Sequence, residues 1–380
     1  MRVRDRRILL VAAGTVAALS TAACNGSGTS DGGSEAKDTI AVTATDTACD
    51  VSTDTLQAGT HDFTVTNKGS KTTEFYVYAE GDRIMGEVEN IAPGVARSLL
   101  VELPAGDYQA ACKPGMVGDG IRHDLTVTGT SAQLSDDEEL SAAVDGYAAF
   151  VQTQVSSLQE KAQEFADAIK AGDIPAAQAL YPVARSYYER IEPVAESFGD
   201  LDPKIDAREN DVEPGDTWTG FHVLERDLWQ TGDVSQSGPV ADQLVSDIAD
   251  LATRAQDLEL QPLDLANGAL GLLDEIATGK ITGEEDRYSH TDLYDFAANL
   301  EGSQQAVQSL RPVIADRDPE LATALDEQFQ AATAELEKYH TGDTTWATYT
   351  DLTQDQLRAL SDAINALAAQ VSQVPAVIAQ

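Results

Sequence analysis

The chain has 380 residues, with 64 Asp and Glu against 25 Lys and Arg, a formal net charge of −39, 42% hydrophobic residues and three cysteines. That is enough chain and enough apolar content for two or three domains. The acidic excess excludes nucleic acid as a partner, because such binders need a basic face to displace counterions. Charged residues make up only 23% of the chain, so the acidity belongs to a folded surface, whose diffuse negative field favours cationic ligands.

Arg2, Arg4, Arg6 and Arg7 precede the apolar run Ile8–Leu19 and the small residues Ser20-Thr21-Ala22-Ala23, which predicts a signal peptide over residues 1–23. The run is too short to span a bilayer. Cys24 directly after Ala22-Ala23 resembles a bacterial lipoprotein box, in which the cysteine becomes the lipidated first residue, although Thr21 stands where Leu is usual. The alternative is ordinary cleavage nearby and an unlipidated Cys24. Either reading implies export, to the outer face of the cytoplasmic membrane by a lipid anchor or to the periplasm. Residues 24–37, rich in Gly, Ser, Thr and Asp, read as a flexible tether.

Over residues 38–129 short runs with β-branched and aromatic residues alternate with turn residues. The runs are Thr39–Thr45, Thr60–Thr66, Thr72–Ala79, Ala96–Leu103, Asp107–Cys112 and Ile121–Thr128, and Asn67–Ser70, Ala92–Gly94 and Pro104–Gly106 punctuate them. This pattern predicts a small β-sandwich. Residues 130–139 are polar and acidic and read as a linker. Beyond them the period changes: Val151, Val155, Leu158, Ala162 and Phe165 recur at helical spacing. Breaks fall at Ala171–Asp173, Gly199–Gly215, Thr231–Ser237, Gly279–Gly283 and Thr341–Thr345. Residues 140–380 therefore read as all-helical, with about eight helices in two packed bundles.

Two helical stretches carry chemistry. Glu189 and Glu192, three apart, would project from one face of a helix that Pro193 could kink. His222 and Glu225 form a His-x-x-Glu pair with the same geometry. Carboxylates and a histidine meeting from separate helices are how bundles build oxygen-rich metal sites. Further acids cluster at Asp206–Asp211 and Glu284–Asp286. In so acidic a chain each cluster alone reads as a solvated face.

In order, Tyr188–Pro193, Leu201–Arg208, Gly220–Glu225 and Ile281–Asp286 resemble the imelysin-like domain of the EfeO-type family of bacterial iron-uptake components. The segment Glu89–Gly94 with Cys49 and Cys112 is similar to the cupredoxin-like domain that precedes it in full-length members. The resemblance covers nearly all of the chain after the signal peptide. It implies a cupredoxin-like sandwich followed by an imelysin-like pair of helical bundles, and an exported iron-binding protein of an EfeUOB-type system. Its implied partners are a membrane iron permease and a haem-peroxidase-like protein, and its cargo is ferrous or ferric iron. Copper-assisted oxidation is a further implied option.

Carried over residue by residue, the family's ligand set falls on Glu189, Glu192, Asp206 and Glu285. His222 and Glu225 are then further ligands or groups that orient the carboxylates. Glu284 rivals Glu285, since neighbours on a helix point about 100° apart. The His-x-x-Glu pair has also been read as a peptidase motif, but no His-Glu-x-x-His occurs among the five histidines His61, His123, His222, His290 and His340, and a binding protein is expected over an enzyme. His290, Asp292 and Asp295 read as polar residues at a helix start. In the sandwich, Cys112 and Met116 lack the nearby histidine of a blue-copper site. Cys49, Glu74, Cys112 and Met116 could form an unusual copper or iron site, or Cys49 and Cys112 a disulfide. A surface interaction lipoprotein without a metal role is the alternative function.

Overall fold

The computed structural model describes residues 39–380 apart from 213, 214, 216 and 343, so the expected signal peptide, Cys24 and tether lie outside the described residues. Among the described residues no helix is long and apolar enough to cross a membrane.

The N-terminal part is a β-sandwich. Its strands are β1 (Ile40–Ala44), β2 (Cys49–Val51), β3 (Thr55–Gln57), β4 (Gly59–Asn67), β5 (Thr73–Tyr78), β6 (Ile84–Ile91), β7 (Ala96–Leu103), β8 (Gly106–Pro114) and β9 (Ile121–Thr128). One sheet runs β2-β1-β4-β7 and the other β3-β9-β8-β5-β6. Their inner faces bury Phe63, Val65, Phe75, Val77, Leu99, Leu125 and Val127 in one core, as alternation along half-buried strands requires. On β5 the alternation has a chemical consequence. Phe75 lies opposite Cys112 and faces the core, whereas Glu74 lies opposite Lys113 on the other face with Tyr76.

The helices are α1 (Glu138–Ala171), α2 (Ile174–Glu189), α3 (Asp202–Asp206), α4 (Phe221–Arg226), α5 (Gly238–Arg254), α6 (Pro262–Thr278), α7 (Asp292–Arg317), α8 (Pro319–Leu336), α9 (Gln354–Val371) and α10 (Val374–Ile378). Asp137 caps α1 by accepting from Glu139 N at 2.9 Å and Leu140 N at 3.2 Å. The periodic residues Val151, Val155, Leu158, Ala162 and Phe165 are all buried. Helices α1 and α2 pack against α7, with α5 against α1, and α6 and α8 also pack against α7, with α9 against α6 and α8.

The helix expected to carry both Glu189 and Glu192 ends between them. Helix α2 stops at Glu189, and Glu192 opens a 3-10 segment, Glu192–Leu201. Pro193 explains the break, since it removes an N–H and disfavours helical backbone at the residue before it. Two glycines bring neighbouring helices against this junction. A Cβ on Gly268 of α6 would fall 1.8 Å from Pro193 O, and one on Gly302 of α7 would fall 2.3 Å from Arg190 O.

Arg97 of β7 pairs with Asp274 of α6, and Asn267 Nδ2 donates to Leu100 O at 2.8 Å, joining sandwich to helices. Beside this joint lies a cleft of about 1090 Å³ lined by Glu74, Glu87 and Glu89 from the strands and by Glu192, Glu196, Asp206, Glu275 and Glu285 from the helical side.

Candidate metal centre

Helix α2 presents Tyr181, Arg185 and Glu189 at steps of four, one stripe of a helix, and α4 and α7 close over it. All three side chains are buried. The Arg185 guanidinium is the hub. It pairs with Glu189 and Asp206, lies 3.0 Å from Glu285 Oε1 and 3.4 Å from Asp295 Oδ2, and stands 3.6 Å from Asp286 Oδ1. Its Nη1 also faces His222 Nε2 at 3.2 Å.

A second buried cation serves the other carboxylates. Lys280 Nζ is 3.0 Å from Glu189 Oε2, 2.7 and 2.8 Å from the two oxygens of Glu192, and 3.9 Å from Glu285 Oε2. Asn299 Nδ2, from α7, donates to Glu189 Oε2 at 2.8 Å and to Glu192.

On α4, His222 Nδ1 lies 3.0 Å from Glu225 Oε2, and the other oxygen of Glu225 accepts from Tyr288 N at 2.9 Å and Ser289 N at 2.8 Å. Glu225 is thereby held as an orienting group. It turns His222 Nε2 toward Glu285 Oε1 at 3.5 Å and Asp206 Oδ1 at 3.6 Å. Asp206, His222 and Glu285 can each offer one ligand atom, all within 4.8 Å of one another, and so can His222, Glu225 and Asp286. Hard carboxylate oxygens with one imidazole suit first-row cations.

The electrostatics follow from burial set against these cations. Burial would raise Glu189, but Lys280 and Arg185 outweigh it and bring the carboxyl down to about 2. Glu285 falls well below the usual carboxylate range, with Lys280, His222 and Arg208 outweighing its burial. For Asp206 burial wins over Arg185, and the carboxyl is pushed up to about 7.

Of the four carboxylates carried over from the family, Asp206 and Glu285 meet His222 directly, while Glu189 and Glu192 join them through Lys280 and Arg185. Glu285 faces inward, whereas Glu284 is partly exposed beside Arg208. Asp292 and Asp295 stand in the first turn of α7, as expected from sequence, and Asp286 N donates to Asp292 Oδ1 at 3.3 Å, but both are wholly buried and Asp295 Oδ2 reaches Arg185. Sequence reasoning also missed Arg185, Lys280, Asp286 and Asn299. The Arg185–Glu189 spacing of four was a readable signal; Lys280 carries none. His290 sits apart in a turn, its N–H donating to Asp286 O.

In the sandwich the residues do not assemble in the same way. Cys49 and Cys112 are joined as a disulfide in the core. Glu74 lies on the opposite face of the sheet, and Met116 is 40% exposed in the loop after β8. Cysteines consumed in an S–S bond offer no thiolate, so this set is not brought together as a metal site. His61 Nε2 bonds Gln57 O and His123 Nε2 bonds Asp54, at the sheet margins. A separate carboxylate group, Glu87, Glu89 and Glu196, meets in the cleft.

Comparison with known proteins returns the same two parts, a cupredoxin-like domain and an imelysin domain. Residues 143–374 match the imelysin family and residues 8–127 the cupredoxin-like domain. The iron uptake system component EfeO of Escherichia coli strain K12, and those of Escherichia coli O157:H7 and Shigella flexneri, are each 40% identical over 348 residues, covering 89% of this chain and 91% of theirs. The chain belongs to this EfeO family of iron uptake system components. A solved iron-regulated protein A precursor from Parabacteroides distasonis ATCC 8503 aligns with a TM-score of 0.49 at 14% identity, covering 66% of this chain and 97% of that one.

Proposed function

We propose that the protein captures iron as cargo at Glu189, Glu192, Asp206 and Glu285, with His222 beside them and Glu225 orienting it, and delivers it to a membrane permease working with a haem-peroxidase-like partner. The observation that supports this most is the convergence of four carboxylates and an imidazole from separate elements on one buried centre. The names of the EfeO relatives supply the cargo. Export and anchoring through Cys24 complete the reading, because a lipidated first residue would hold the protein at the membrane face where a permease works. Cys49 and Cys112, joined as a disulfide, are not among its ligands. The acts proposed are binding and release, and no bond-breaking step is assigned to His222 and Glu225.

The test is titration of the metal-free full chain with ferrous iron under anoxia, followed by calorimetry and thermal melting. A ligand that binds only the native state adds about 2.7 kcal/mol at a hundredfold excess over Kd, which raises the melting temperature visibly. Glu192→Gln should weaken binding at least tenfold, and His222→Ala less than Glu192→Gln. A wild-type chain whose melting curve and heat trace ignore iron would end this reading.

A further inference from the structure

A lysine nitrogen stands among three of the proposed iron ligands. Lys280 is the first residue of a single 3-10 turn, Lys280–Thr282, set between Gly279 and Gly283 in the connection from α6 to α7. Its side chain is 0% exposed. Nζ lies within 3.0 Å of both Glu189 and Glu192 and 3.9 Å from Glu285, so three of the four carboxylates share it. An ammonium is a compact point charge with three donors, and here it neutralises acids that would otherwise repel one another inside the protein.

Arg185 and Lys280 differ in how they are held. Arg185 projects from the middle of α2 and is gripped by acids on several sides, Glu189, Asp206, Glu285 and Asp295 among them. Lys280 projects from a turn whose last boundary, Gly283, has φ 76°, and whose Ile281 carbonyl is tied to the Tyr349 hydroxyl at 2.6 Å. Beside that turn, Gly279, Glu275 and Glu284 line the cleft, and Glu275 lies near enough to act on the ammonium electrostatically. The turn that carries the ammonium thus borders the cleft, with a further carboxylate, Glu275, close by.

We propose that Lys280 is a displaceable internal counter-ion: it holds the cation position among Glu189, Glu192 and Glu285 and leaves toward the cleft when a multivalent cation loads. The inference rests on the iron-site reading above and adds a rule of selection. A tethered ammonium competes at high effective concentration, so sodium or potassium, with the same single charge, gains nothing by replacing it. A doubly or triply charged cation gains two or three times the attraction from the same carboxylates. The site therefore sorts cations by charge before it sorts them by size.

The experiment compares the full-length wild type, Lys280→Met and Glu192→Gln in anoxic titrations with ferrous iron, each at low salt and in 150 mM sodium chloride, on the order of physiological ionic strength. Lys280→Met should bind iron at least tenfold more tightly than wild type, and its affinity should fall more steeply with sodium. Equal or weaker binding by a folded Lys280→Met overturns the inference. If wild type binds, Glu192→Gln does not and Lys280→Met is unchanged, the iron site stands and only the counter-ion falls. If no variant binds, both fall. A second measurement covers a Lys280→Met chain that does not fold. Acetylation of wild-type lysines, read by mass spectrometry, should find Lys280 protected without iron and labelled faster with it; equal protection in the two states also overturns the inference.

Discussion

Two groups of carboxylates lie along the same cleft and handle burial in opposite ways. In the helical centre one pair, Glu189 and Glu285, stays ionised because Lys280 and Arg185 outweigh the cost of desolvation, while beside it burial pushes Glu192 well above the usual carboxylate range and Asp206 up to about 7. In the cleft Glu87 and Glu89 are pushed well above the usual carboxylate range, by burial first and by the Glu196 charge second. Glu87 Oε2 and Glu196 Oε2 are buried with no hydrogen-bond partner among the described residues. One group keeps its shape by attraction to cations the chain supplies; the other lowers its repulsion by taking up protons. Similar acids thus present a competitor to an incoming cation in one place and a proton in the other.

The largest expected effect breaks the first group. Arg185→Leu removes the hub and leaves Glu189 and Glu285, the acids it helps to keep ionised, buried without it, which should cost about 3–5 kcal/mol in urea unfolding at neutral pH. A loss below about 1 kcal/mol, the scale of an exposed ion pair, would mean that these acids are not ionised in the fold, and the contrast with the cleft would vanish.

The next effect sharpens the contrast between domains, since the sandwich is tied covalently where the helical centre is tied by charge. Cys49 and Cys112 are 63 residues apart, and opening a loop of that length releases about 4 kcal/mol of restraint in the unfolded chain. The double variant Cys49→Ser, Cys112→Ser should lose that much stability in the sandwich, seen as faster amide exchange in β4, β5 and β8. Thiol titration of unfolded, unreduced wild type should find neither cysteine free; two reactive thiols would return them to the pool of metal ligands.

The same contrast explains what was legible in the sequence. The change of domain was visible because the apolar period switches from two to about 3.6, and β5, β7 and β9 follow the runs at Thr72–Ala79, Ala96–Leu103 and Ile121–Thr128. Strand β6 was not, because Gly86, Glu87, Glu89 and Asn90 interrupt its apolar residues, and those acids face the cleft that the helical side closes. The inward carboxylates were found through motif order and family resemblance. Their cations were not, because a buried Lys280 is fixed by tertiary contacts that leave no spacing in the chain. Pro193 was readable as a possible kink, but the survival of the Glu189–Glu192 meeting across it depends on Lys280 and Asn299, from two other segments.

The smallest effect concerns the proton-holding group and tests the second half of the comparison. Glu87 has its folded pKa raised above the unfolded value, so the native state binds the proton more tightly than the unfolded chain does. Its contribution to stability is fully present below the ordinary Glu range and is lost as pH rises through the raised folded value. The metal-free wild type should therefore lose melting temperature between acid and neutral pH at this position, and Glu87→Gln, which is neutral throughout, should flatten that part of the curve. The two proteins should differ least in the acid range, where both side chains are uncharged, and Glu87→Gln should become the more stable of the two as pH rises. Parallel curves would mean that Glu87 is ionised in the fold after all, so that the cleft holds its acids by the same means as the helical centre.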